Sequence, residues 1–153
     1  MKKIILIAAM VLGFAAAAAA QPRAVGLKLG WGAEASYQHT VGGANFVEAT
    51  LGLCTFNAVN ASATYNFMIA QPNWTSRGEW GFYAGPGAAA GWAWGDAKSF
   101  HVAAAGQVGL EYTFWFPLQL SIDLRPQLGL GFADKATMYF GGWCPALGVR
   151  YKF

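Results

Sequence analysis

The stretch Leu118-Gln-Leu-Ser-Ile-Asp-Leu-Arg-Pro-Gln-Leu-Gly-Leu130 alternates apolar and polar residues over its whole length, with Pro126 on the apolar side. Side chains of a β-strand point alternately to opposite faces, so this stretch predicts a strand with one apolar and one polar side. The polar side carries Asp123 and Arg125 among amides and glycine, which suits a narrow, packed interior. The pattern is typical of a transmembrane β-barrel strand, with lipid outside and polar side chains inside.

The N-terminal residues have the composition of an export signal. Met1-Lys2-Lys3 is basic, residues 4–14 are apolar, and residues 15–20 are alanine. This order predicts a cleaved secretory signal peptide, because the apolar part is too short for a spanning helix. We therefore expect residues 1–20 to be the signal peptide and residues 21–153 to form a single outer-membrane barrel domain. The residue directly after the cleavage point is Gln21 and not a cysteine, which argues against a lipoprotein anchor.

The overall composition favours the same class of protein. Aromatic residues make up 16% of the chain and charged residues only 11%, less charge than a soluble secreted domain normally carries. After the signal peptide, no apolar run approaches the length of a transmembrane helix. Without Lys2 and Lys3, the 10 basic residues fall to 8 against 7 acidic ones, and no basic cluster predicts a nucleic-acid partner.

Turn-rich stretches separate eight segments that alternate in this way. The alternation from Val25 to Tyr37 is unbroken, and reading it as one strand would give an odd total of seven. Splitting it at Gly30-Trp31-Gly32 restores the even number found in bacterial barrels and sets Leu29 opposite Ala33. The facing of residues 80–92 stays ambiguous. The sequence predicts an all-β fold, an eight-stranded antiparallel up-and-down transmembrane β-barrel. The predicted strands are 23–29, 33–39, 45–53, 59–69, 80–92, 100–114, 119–131 and 144–153.

The predicted loops divide into two sets. With the N-terminus in the periplasm, the turns 40–44, 70–79 and 115–118 are periplasmic. The outer loops are 30–32, 54–58, 93–99 and 132–143. The last of these carries enough apolar surface to contact a partner, or to form an aromatic collar at the membrane interface. The candidate contact residues are Met138, Tyr139, Phe140 and Trp143.

The parity of the strands keeps every charge away from the predicted lipid face, where a charge costs about 2–4 kcal/mol at the midplane. Seven charges face the barrel interior, or lumen, and the others lie in loops, turns or rims. The lumen set is Lys28, Glu34, Glu48, Glu111, Asp123, Arg125 and Arg150. We expect an ion-pair network that stabilises a plugged barrel, because buried unpaired charges are costly. A gated proton or ion path is the alternative.

Neighbouring strands bring Glu111, Asp123, Arg125 and Arg150 together near the periplasmic end, and we expect Glu48 to reach them across the narrow interior. This set has one acid too many, so either Lys28 completes it or one acid carries a proton. The two cysteines, Cys54 and Cys144, lie about three strands apart at the outer rim. That separation exceeds the roughly 7 Å limit between Cα atoms of a disulfide, so we expect two thiols, with a disulfide as the alternative.

The C-terminal stretch Ala146-Leu-Gly-Val-Arg-Tyr-Lys-Phe153 places Leu147, Val149, Tyr151 and Phe153 on one face. It resembles the C-terminal signal of outer-membrane barrel proteins, which the barrel assembly machinery reads. With Gly106-Gln-Val-Gly-Leu-Glu-Tyr-Thr-Phe114, the mature chain resembles small eight-stranded barrels of the OmpA and OmpX type. The resemblance implies a monomer in the outer membrane of a Gram-negative bacterium, in contact with lipid. We expect no periplasmic peptidoglycan-binding domain, and the short outer loops argue against host adhesion.

The sequence predicts a non-enzymatic outer-membrane protein with a plugged polar lumen and a structural or surface-interaction role. Side chains fill an eight-stranded barrel, so an open pore is not expected. The alternatives are a narrow gated channel and a lipid-modifying outer-membrane enzyme. For the enzyme, Ser99, His101 and either Asp96 or Glu34 form a formal constellation, but the His-aromatic-Ser order of deacylases is absent. No motif predicts a metal or a cofactor.

Overall fold

The computed structural model describes residues 22–54, 57–94 and 98–153. Across these three ranges the chain forms strands and connections, and none of its segments is a helix of the length and apolarity needed to cross a membrane. The predicted signal peptide, together with Phe56 and Asp96, lies outside the described residues.

The described chain forms ten hydrogen-bonded strand segments. They are β1 (Pro22–Leu29), β2 (Gly32–Gly42), β3 (Asn45–Cys54), β4 (Ala58–Ala70), β5 (Glu79–Ala93), β6 (Ser99–Thr113), β7 (Leu118–Leu124), β8 (Gln127–Phe132), β9 (Ala136–Gly141) and β10 (Ala146–Lys152). Both β7 and β8 pair with β6. On their other side, β8 pairs with β9 and β7 pairs with β10. The seventh wall strand is therefore β7 continued by β8, and the eighth is β9 continued by β10.

All neighbouring strands run antiparallel, and the pairing of β1 with β10 closes the wall. The prediction of an all-β, eight-stranded antiparallel up-and-down barrel is confirmed. The split at Gly30-Trp31-Gly32 is also confirmed, since Leu29 lies opposite Ala33 and Lys28 opposite Glu34. We call the end with Pro22 and Phe153 the lower rim, and the end with the 30–31 and 133–135 turns the upper rim.

The burial pattern is inverted relative to a water-soluble barrel. Among the described residues, 18 polar or charged residues are buried, against 6 apolar or aromatic ones. The apolar positions that alternate with them are exposed on the outer face, such as Leu27 at 61%, Val108 at 51% and Leu130 at 51%. The core of this barrel is therefore polar, and its outer surface is apolar.

The facing of the fifth strand, ambiguous in the sequence, is defined by Tyr83. This residue is fully buried in the lumen, packed edge-on against Phe46 at 5.1 Å between ring centroids. The alternate positions of this strand, which include Phe82 and the exposed Pro86, therefore face outward. Gly109 makes room for the phenol, since a Cβ at that position would lie 2.5 Å from the Tyr83 ring.

The seventh wall strand is interrupted at Arg125 and Pro126 without a change of register. Val108 lies opposite Leu124 below the break and Ala105 opposite Gln127 above it. Because proline has no amide hydrogen, Pro126 cannot complete the ladder, although its carbonyl accepts a hydrogen bond from Gly106 N at 2.9 Å.

The eighth wall strand contains an extra residue at the same level. Four residues, 142–145, span the distance covered by three residues, 124–126, on the neighbouring strand. Such an insertion is a β-bulge, and Gly142 supplies the left-handed backbone conformation there, with φ of 73°.

The predicted outer loop 132–143 is wrong in its extent. Residues 136–141 form β9 and pair with β8, so the connection shortens to 133–135 and the eighth wall strand begins at Ala136 instead of 144. The sequence pattern did not show that β9 belongs to the eighth wall strand, because the bulge breaks the alternation between β9 and β10.

Candidate functional site: the charged lumen

Four charged side chains form a continuous series of ion pairs in the middle of the lumen, which we call the central cluster: Lys28, Glu48, Asp123 and Arg150. Lys28 Nζ lies 2.6 Å from Asp123 Oδ1 and 3.4 Å from Glu48 Oε1. Arg150 Nη2 lies 2.5 Å from the same Glu48 oxygen. Two acids thus meet two bases, and the cluster carries no net formal charge.

Neutral side chains complete the hydrogen bonding of the central cluster. Ser36 Oγ donates to Glu48 Oε1 at 2.6 Å, and Gln107 Nε2 donates to Glu48 Oε2 at 2.6 Å. Tyr83 OH donates to Asp123 Oδ2 at 3.2 Å. Both carboxylates are therefore held by several donors, as buried charges require.

A second ion pair, the upper pair, lies above the central cluster. Arg125 Nη2 contacts both carboxylate oxygens of Glu34, at 2.6 and 2.7 Å, and Nη1 donates to Thr50 Oγ1 at 2.9 Å. The side chains of Arg125 and Glu34 are 10% and 14% exposed, whereas those of the central cluster are at most 1% exposed. The upper pair is the more accessible of the two groups.

A third ion pair, the lower pair, joins Arg23 to Glu111. The guanidinium of Arg23 also lies over the Phe46 ring, 4.0 Å from its centroid. Arg23 was expected at a rim and does lie beside Pro22 at the lower rim, but its side chain points into the lumen. The register of β1 against β2 shifts between Pro22 and Ala24, and this bulge turns Arg23 inward against the alternation of its strand.

The seven predicted lumen charges and Arg23 therefore form three balanced groups. Of the cluster expected near the lower end, Glu48, Asp123 and Arg150 do lie together, and Lys28 completes them, which was one of the two predicted alternatives. The membership of Glu111 and Arg125 is wrong, because Glu111 pairs with Arg23 and Arg125 pairs with Glu34. The expected excess of one acid disappears with this rearrangement. The alternation along each strand predicted that these seven charges face inward, but the adjacency of strands did not predict all of their partners across the lumen.

The filled centre separates two cavities. The upper cavity has about 220 Å³ and is bordered by the upper pair, Trp31 and Tyr139. The lower cavity has about 250 Å³ and is bordered by the lower pair, Trp80 and Lys152. Between them, Gln38, Gln119 and Arg150 have no exposed surface. The lumen is thus two end chambers closed off by the central cluster and its neutral partners.

The outer surface is free of charge along the wall. Apart from Glu79, the first residue of β5, no acidic or basic residue of the described strands is exposed. Near the lower rim, aromatic rings contact one another in a series: Trp74 with Trp80 at 5.4 Å, Trp80 with Tyr112 at 4.7 Å, and Tyr112 with Phe114 at 4.7 Å between centroids. This arrangement matches the aromatic belts that flank an apolar band in membrane proteins.

The predicted surface residues lie on the wall, with one exception. The candidate assembly residues Leu147, Val149, Tyr151 and Phe153 are exposed on the outer face, as are Met138, Phe140 and Trp143. Tyr139 instead points into the lumen, where its ring stacks on His101 at 3.9 Å between centroids. Its expected place on an outer contact loop is therefore wrong, because it lies at an inward position of a strand.

The formal enzyme constellation is not joined by hydrogen bonds within the described residues. His101 Nε2 lies 3.3 Å from Asn60 Nδ2, and no described hydrogen bond joins Ser99 to His101. Glu34 is engaged by Arg125. The described residues also contain no group of histidine, cysteine and acidic side chains arranged to hold a metal. Cys144 is a free thiol, while the Cys54 side chain lies outside what the structure describes.

Comparison with known proteins gives no relative: no protein-family model, no curated protein and no solved structure matches this chain.

Proposed function

We propose that this chain is an integral outer-membrane β-barrel protein whose lumen is plugged by ion pairs. The observation that carries the proposal is the inverted burial, with 18 buried polar or charged residues inside an apolar outer face. An exposed apolar surface that surrounds the whole wall is unfavourable in water and favourable in lipid. The resemblance to OmpA- and OmpX-type barrels agrees with the upper rim on the outside of a Gram-negative cell.

The proposed role is structural or surface-interacting, without catalysis. The central cluster and its neutral partners close the bore, and charges that are already paired offer no free site to a passing ion. The exposed apolar residues of β9, Met138 and Phe140, lie near the proposed outer surface. A narrow gated channel remains the alternative, and it predicts conductance steps. We expect purified protein to show no stable open conductance in planar-bilayer recordings, and regular open steps would contradict the plugged lumen.

A charge placed on the outer face tests the membrane location. Val108→Arg introduces a cation in the middle of β6, at an outward position. In lipid it should lower the free energy of unfolding by about 2–4 kcal/mol. On a water-exposed surface the same change should cost within about 0.5 kcal/mol.

Val41→Arg is the matched control, since Val41 is equally apolar and exposed but lies at the lower rim. Urea unfolding in phospholipid vesicles measures both variants, after flotation of the vesicles has shown that the protein is embedded. Equal stability of the two variants, or recovery of the wild type as a soluble periplasmic protein, would contradict the proposal.

The proposed partner during biogenesis is the barrel assembly machinery. Replacing Phe153 with glutamate should reduce insertion while leaving export intact, because the terminal aromatic is part of the expected recognition signal. The measurement is the heat-modifiable fraction on unboiled gels of the outer membrane, with Trp115→Glu as a control at another exposed aromatic of the lower rim. Normal insertion of Phe153→Glu would leave Phe153 with an interfacial role alone.

A further inference from the structure

The wall has a gap in its hydrogen bonding near the upper rim. The ladder between β1 and β10 ends at Leu29 and Leu147, where the chain turns through Gly30 and Trp31 into β2. Beyond that point, β9 pairs with β8 alone among the described strands. One edge of β9 therefore has no neighbouring strand, and we call the space between β9 and the 30–31 turn the notch.

The upper cavity lies directly behind the notch. Its lining includes Gly30 and Trp31 from the turn on one side, and Gly142, Cys144 and Ala146 from the bulged eighth strand on the other. The same residues border the missing part of the ladder. The cavity thus meets the wall where hydrogen bonds do not hold neighbouring strands together.

The polar groups of this cavity are already balanced in charge. Arg125 Nη2 contacts both carboxylate oxygens of Glu34, and Asp123, which also borders the cavity, pairs with Lys28. A charged ligand would find no unpaired charge of opposite sign in the lining and would have to break one of these pairs. Uncharged hydroxyl groups can instead donate to Glu34 and accept from Arg125 while the pair stays intact, and these two side chains keep 10–14% of their surface exposed.

The surface outside the notch is apolar. Trp31, Met138 and Trp143 surround it and are 71%, 75% and 58% exposed. At about 220 Å³ the cavity is smaller than the roughly 300–1,000 Å³ of sites that enclose drug-sized molecules. A small head inside and an apolar chain outside fit these dimensions.

We propose that the upper cavity binds the uncharged, hydroxyl-bearing head of a single-chain amphiphile that enters from the membrane through the notch. The apolar chain then lies along Trp31 and Trp143 on the outer face. This inference rests on the proposed membrane location, since a soluble barrel would meet no such lipid.

Cys144 provides a reporter at the cavity. In a Cys54→Ser background reconstituted in phosphatidylcholine vesicles, we measure the rate at which iodoacetamide alkylates Cys144, by mass spectrometry. Monolauroylglycerol should slow alkylation at least five-fold, and glycerol at the same concentration should leave it unchanged. Equal protection by glycerol would overturn the amphiphile assignment, and equal protection by dodecyl phosphate would overturn the requirement for an uncharged head.

Two double variants test the polar lining. Arg125→Met/Glu34→Gln removes the upper pair and should abolish protection by monolauroylglycerol. Arg23→Met/Glu111→Gln removes the lower pair, at the other end of the barrel. This variant should still be protected by monolauroylglycerol. Equal protection in both would overturn the inference. Flotation with the vesicles separates the two failures: a protein that does not float contradicts the membrane proposal, whereas an embedded protein without protection contradicts only this site.

If Cys144 does not react with iodoacetamide, a second measurement tests the same proposal. A monoacylglycerol brominated along its chain should quench tryptophan fluorescence of the wild type more than that of Trp31→Phe. The control Trp74→Phe, at the lower rim, should be quenched as strongly as the wild type. Quenching that does not depend on Trp31 would place the chain elsewhere and overturn the proposal.

Discussion

The central cluster and the upper pair consist of the same kinds of side chains in different surroundings. The central cluster has side chains that are at most 1% exposed and carboxylates bound by Ser36, Gln107 and Tyr83. The upper pair borders a cavity and the interrupted part of the wall. From this difference we expect burial, rather than the number of ion pairs, to decide how much each charge contributes to stability.

The largest effect is expected at Arg150, which donates to Glu48, Ser36 and Ser121 without any exposed surface. Arg150→Met leaves Glu48 with Lys28 as its only basic partner, and Lys28 is shared with Asp123. We expect a loss of about 3–5 kcal/mol in the free energy of unfolding, as for the removal of one member of a buried pair. Urea unfolding in vesicles measures it.

A second substitution shows whether this loss comes from the uncompensated charge. Adding Glu48→Gln to Arg150→Met leaves Lys28 and Asp123 as a balanced pair, so about half of the lost stability should return. A double variant as unstable as Arg150→Met would mean that packing of the arginine, rather than charge balance, dominates.

A smaller effect is expected at Arg125. Arg125→Met leaves Glu34 unpaired, but this carboxylate is partly exposed to the upper cavity and can be hydrated there. The expected loss is about 1–3 kcal/mol, the range for a hydrogen-bonded charge left without its partner. If Arg125→Met is as destabilising as Arg150→Met, the two groups do not differ in the way that we infer.

The smallest effect is expected at Lys98, a loop residue before β6. Lys98→Ala removes a charge of the same sign from an exposed connection and should change stability by no more than about 0.5 kcal/mol. The same unfolding experiment measures it next to Arg125→Met. A loss comparable to that of Arg125→Met would remove the distinction between lumen and loop charges.

The alternation of residues was sufficient to predict the fold and seven of the eight inward charges. It predicted the turn between Leu29 and Ala33, because a strand register follows from parity and turn length. It did not predict the inward position of Arg23, because a bulge reverses parity without a marker in the sequence. Nor did it predict β9, since Gly142 and Pro145 interrupt the pattern on which the prediction depended.

The sequence also did not predict which charged residues pair with each other. Charge pairing across the lumen depends on the stagger of the wall. Following opposite residues around the barrel from Leu29 leads to Ala136, although Leu29 itself pairs with Leu147 on the same wall strand. Because of this offset, Lys28 pairs with Asp123 and Arg125 pairs with Glu34. Only the closed structure contains that information.

The seam between β1 and β10 has a consequence for the order of folding. It joins the first and last strands of the described chain through six residue pairs, from Ala24 with Lys152 to Leu29 with Leu147. Contacts of such long sequence separation carry the largest loop-closure entropy, whereas each hairpin from β1 to β6 forms from neighbouring segments. The sheet can therefore grow hairpin by hairpin, but β1 keeps one unpaired edge until β10 arrives. Nearly the whole chain must therefore be synthesised before closure, and until then this edge needs protection from other strands.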